Sequence, residues 1–267
     1  MDQAIVFAAQ QFLGFEICKE LLNQGYEVMA IEHEQMVNDD SNEKWLEIGR
    51  NANVTYQPLN TNIDFNDQSY IWFIPLYDLF TVKNEKLIMD WTINLQRLYE
   101  ESKSSIERII FITPVKWSSN ERKANEHFYK KLKNEVINSE ETPVIEFQLP
   151  TIFGPWQPNC FLFQQIISES ELNSYFDDLM DAIYVEDAVH SILENMDDKF
   201  YGKTVYLQSE TGDNWRKCVL YLNPSYPLPE QSESMNRNNV EILKVKESIS
   251  FKEGIDKQIA CYSRKKQ

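Results

Sequence analysis

Short apolar runs alternate with longer amphipathic stretches at a regular interval, and this constrains the fold more than any other feature of the chain. Residues 3–8 (QAIVFA) have the continuous apolar character of a buried strand. Phe15 to Gln24 follows with Ile17, Leu21 and Leu22 at helical spacing, and Gly25 suits a helix C-terminus. Residues 26–31, 54–59, 69–76 (SYIWFIPL), 107–113 (ERIIFIT) and 143–149 read as further strands. Between them, residues 33–52 are partly helical. Residues 83–103 form an amphipathic helix carrying Leu87, Ile88, Trp91, Leu95 and Leu98, and residues 120–138 form a charged helix. Strands that alternate with helices predict an α/β protein with a doubly wound, mostly parallel sheet.

Ligands of such sheets bind beyond the carboxyl ends of the strands, where strand order reverses. The turns after the first, second, fourth and fifth strands are therefore the places to look for a site. Past Pro150 the pattern loosens. Residues 161–172, 184–196 and 251–263 look helical, and 203–208 looks like a strand. The Pro-, Ser- and Asn-rich stretch 222–239 reads as a long surface loop. We expect one domain over 1–150 and a smaller lobe over 151–267, with some of its segments returning to the main sheet.

Several function classes are excluded early. A net charge of −16 and a pI near 4.7 repel phosphate backbones and anionic membranes, so neither nucleic acid nor membrane is an expected partner. Cys18, Cys160, Cys218 and Cys261 include no CxxC pair, and His33, His127 and His190 are scattered, so no metal site is expected. Met1-Asp2-Gln3 lacks a basic leader and no apolar run is long enough to span a bilayer. A cytoplasmic protein is expected.

Ile5–Glu32 reads as strand, tight turn, helix and strand, with an acid at the end. "RIIFIT" is a fifth strand, "FQLPTIFGPWQPN" (Phe147–Asn159) a Gly-Pro turn, "DAIYVEDAVHSILENM" (Asp181–Met196) a strand and helix, and "SISFKEGIDKQIACYSRKK" a C-terminal helix. In order and spacing these stretches resemble the extended short-chain dehydrogenase/reductase family, the nucleotide-sugar epimerases and dehydratases. The resemblance implies a Rossmann-like sheet with a small C-terminal substrate-type lobe. It also implies a GxxGxxG turn for the dinucleotide, a Tyr-x-x-x-Lys catalytic pair, and a Ser/Thr hydroxyl after the fifth strand.

Those functional positions depart from the pattern. The three glycine positions are Ala8, Gln11 and Gly14. The glycines of such a turn permit a tight bend, close approach of backbone to pyrophosphate, and close helix–strand packing. Gln11 would place a side chain at the phosphate position, before Phe12 at the helix start, and Gly14 keeps only the packing role. Glu32 stands where an acid would bond a ribose, or is an ordinary strand-end acid. Bulky Pro75, Leu76 and Tyr77 follow the fourth strand in place of small residues. The helix "HFYKKLKNE" admits two registers for the catalytic pair, Tyr129 with Lys133, or His127 with Lys131, the second agreeing better with Glu135 downstream. After the fifth strand, Thr113 is the hydroxyl that remains.

Altered turns in three places lead to the expectation of a catalytically degenerate epimerase/dehydratase-like protein with a binding, regulatory or assembly role. NAD(P) is expected to bind weakly or not at all, with NAD preferred over NADP. The partner would be an unknown protein or small ligand, and the resemblance implies a homodimer through helices 83–103 and 120–138, whose many charges leave a monomer as the alternative. The alternative is an active NAD-dependent epimerase, dehydratase or reductase using Tyr129, Lys133 and Thr113.

Overall fold

The computed structural model describes residues 2–63, 65, 68–79, 81–82, 84–115, 130, 142–172, 174–229 and 240–265. Eight strands form the main sheet: β1 (Gln3–Phe7), β2 (Glu27–Glu32), β3 (Val54–Pro58), β4 (Tyr70–Pro75), β5 (Ile106–Pro114), β6 (Val144–Leu149), β9 (Thr204–Ser209) and β10 (Glu241–Val245). Their order across the sheet is β10-β9-β6-β5-β4-β1-β2-β3. β7 (Thr151–Phe153) and β8 (Ala182–Tyr184) form a separate parallel pair. The helices among the described residues are α1 (Phe12–Asn23), α2 (Asp39–Ile48), α3 (Leu76–Leu79), α4 (Glu85–Ser102), α5 (Leu162–Ser168), α6 (Val185–Glu194), α7 (Asn214–Leu222) and α8 (Phe251–Lys265). This is the doubly wound α/β sheet expected from the alternation.

β1 pairs in parallel with both β2 and β4, so strand order reverses at β1. The chain divides into two compact units. Unit 1 comprises Met1–Thr113, Trp117–Glu146 and Met196–Lys203. Its core gathers Phe7, Trp72, Trp91, Leu95, Leu98 and Phe111 among others, so the apolar stripe of α4 faces the sheet as its period requires. Unit 2 comprises Pro114–Lys116, Phe147–Asn195 and Thr204–Gln267. Its core includes Phe153, Phe163, Tyr184 and Trp215, with α8 passing so close that a Cβ on Gly254 would lie 2.8 Å from the Phe153 ring.

Some elements differ from the sequence expectation. The helix expected over 161–172 stops at Ser168, because Glu169 turns left-handed at φ 54°. α7 was missed, although Trp215, Cys218 and Val219 lie on its buried side at helical spacing. β10 was also missed: three of its five residues are exposed, as befits an edge strand, and polar residues interrupt its apolar pattern. The helix expected over 120–138 lies outside the described residues apart from Lys130.

Candidate functional site

The turn between β1 and α1 keeps the shape that its glycine-poor sequence put in question. Ala8 adopts φ 49°, the left-handed conformation that glycine takes without steric cost. Gly14 could not carry a side chain: a Cβ there would lie 2.0 Å from the Ala8 carbonyl oxygen. Its packing role is therefore enforced by the backbone of the turn itself.

Gln11 does not fill the mouth of the helix. It is the N-cap of α1 and makes no side-chain cap bond. Its Nε2 donates instead to Glu32 Oε2 at 3.0 Å and to the Met36 carbonyl at 3.3 Å. The Gln10 amide donates to the same Glu32 oxygen at 2.9 Å, and the His33 amide donates to Oε1 at 2.9 Å. Glu32 is fully buried. Burial pushes its carboxyl above the usual range, while these three donors and the Lys44 charge pull the other way. Lys44, itself buried, donates to the Gln10 carbonyl at 2.6 Å and braces the turn from α2.

The start of α1 has an acceptor that the sequence reading missed. Asp78, in the single turn of α3, accepts from the Leu13 amide at 3.1 Å through Oδ1 and from the Gly14 amide at 2.9 Å through Oδ2. A helix start presents N–H groups with no partner inside the helix, and a carboxylate there also gains from the helix dipole. Asp78 is 2 % exposed, and burial pushes its pKa up to about 7 against the opposing pull of the two amides and Lys44. The signal in the sequence was an acid inside the apolar run "FIPLYDL", which has to find donors once buried. Leu76 and Leu79 join the core of unit 1, and Tyr77 is 3 % exposed.

Thr113, expected to offer its hydroxyl to a substrate, is fully buried and donates to Glu146 Oε1 at 3.0 Å. Glu146 projects from β6 and is 2 % exposed. Tyr129, Lys133, His127 and Lys131, the two registers of the catalytic pair, lie outside the described residues. Phe12, at the first position of α1, is buried.

In unit 2 the acids of "YFDDLMD" have structural employment. Asp177 accepts from the Leu162 amide and from the Trp215 indole, at 2.9 and 2.8 Å. Burial pushes its pKa up to about 6. Asp181 holds the β8–β9 corner through the Ser209 amide and hydroxyl. Phe161 and Phe163 are buried in the core, and Lys265 lies 4.5 Å above the Trp156 ring. Among the described residues, no group of His, Cys, Asp and Glu is arranged to hold a metal ion, and no helix is long and apolar enough to cross a membrane.

Unit 1 thus carries the strand, turn, helix and acid of a nucleotide-cofactor fold. Solved structures identify that fold more closely as the one shared by NAD-dependent epimerases and dehydratases. UDP-glucuronic acid 4-epimerase from Bacillus cereus, in complex with NAD, is 14% identical, covers 98% of this chain and 99% of its own, and has a TM-score of 0.66. dTDP-glucose 4,6-dehydratase from Bacillus anthracis, in complex with NAD, is 11% identical over 99% of this chain and 97% of its own, with a TM-score of 0.61. The yeast methylglyoxal/isovaleraldehyde reductase, complexed with NADPH, is 12% identical over 99% of each chain, with a TM-score of 0.58. No family model and no curated protein sequence matches the chain.

The expectation of weak or absent NAD(P) is corrected by these findings. The neighbours hold NAD or NADPH, and the fold is a nucleotide-cofactor fold. The steric premise behind the expectation also fails. Gln11 turns aside to Glu32, Ala8 reproduces the glycine conformation, and Leu76 packs inward.

Proposed function

We propose that the chain is a catalytically degenerate protein of the epimerase/dehydratase fold that acts by binding, in a regulatory or assembly role. The observation that supports this reading is Thr113. A hydroxyl that assists catalysis must reach the substrate oxygen. The Thr113 hydroxyl is fully buried and spends its proton on Glu146. The reading concerns chemistry, and cofactor occupancy is a separate quantity.

Turnover decides it. The full chain is incubated with UDP-glucuronic acid, UDP-glucose, dTDP-glucose, methylglyoxal or isovaleraldehyde, each with NAD and with NADPH, and products are resolved by chromatography. Calorimetric titration with each dinucleotide measures occupancy alongside. No product with any pair is expected, whatever the occupancy. Sustained conversion of any substrate overturns the proposal in favour of an active NAD-dependent epimerase, dehydratase or reductase.

A further inference from the structure

We draw no further inference here: the strongest candidate, the surface patch made by the exposed Met89 and Ile93 on the outer face of α4, is an unpartnered helix face, and nothing among the described residues shows what covers it.

Discussion

Replacing Asp78 by asparagine should change the stability of the protein in opposite directions at low and high pH. The carboxyl has an ordinary value of 3.8 and is pushed up to about 7 in the fold, chiefly by burial. A folded value above the unfolded one means that the folded state holds the proton more tightly. The resulting stabilisation is complete below about pH 4 and is lost as pH rises through about 7. At about 1.4 kcal/mol per pH unit, the loss between those limits amounts to about 4 kcal/mol. The substituted amide does not titrate, so the variant escapes this loss. Near pH 4 the wild-type group is a neutral acid whose two oxygens can both still accept, the hydroxyl oxygen more weakly, whereas the amide nitrogen of asparagine accepts nothing, so either the Leu13 or the Gly14 amide loses its acceptor, at a cost of about 1–2 kcal/mol. The variant should therefore be less stable than wild type by that amount near pH 4, and more stable by about 2–3 kcal/mol near pH 8. Urea denaturation of both proteins at stepped pH measures the difference. Glu32, Asp177 and Asp187 are also raised. They are present in both proteins, so the difference isolates Asp78 apart from its coupling to Glu32. A difference of constant sign and size between about pH 4 and pH 8 would refute the assignment of Asp78 as a buried, titrating cap of α1.

Other substitutions test neighbouring parts of the argument. Gly14→Ala sets a Cβ against the Ala8 carbonyl oxygen at 2.0 Å, in a contact made by backbone that has no side-chain freedom to give way. A loss of about 3 kcal/mol or more in chemical denaturation is expected, and a neutral variant would contradict the described turn. Ala8→Gly relieves the left-handed φ of 49° and should raise stability by about 0.5–1 kcal/mol, whereas Ala8→Val should lower it. Thr113→Val removes a donor from buried Glu146 and should cost about 1–3 kcal/mol. In unit 2, Gln258 accepts from the Gly154 amide and donates to Gln157 and Gln164 at 2.8 and 2.9 Å. Gln258→Leu should cost about 2–4 kcal/mol and speed amide exchange at Gly154, while an unchanged exchange rate would place the network outside the stability of this unit.

The contrast between Gly14 and Asp78 explains what could be read from the sequence. Gly14 is required by Ala8, six positions before it, and the alternation of strand and helix already fixed how those neighbours meet. Local period and local turn chemistry carry that kind of information, and they also placed β1, β2, β4, β5 and β6. Asp78 acts on amides 65 and 64 positions away. Nothing in a linear pattern says which donors a buried acid will find, only that it must find some. The same holds for Thr113, whose hydroxyl was legible but whose partner Glu146 lies 33 positions on, in another strand. Gln11 was misread for a related reason. Its place at the N-cap of α1 follows from the local pattern, but its direction depends on Glu32, 21 positions away. Fold positions are set by neighbours along the chain, whereas the electrostatic character of this site is set by distant polar partners. Motif letters therefore locate a side chain along the chain without saying which partner it turns to, as the Gln11–Glu32 bond shows.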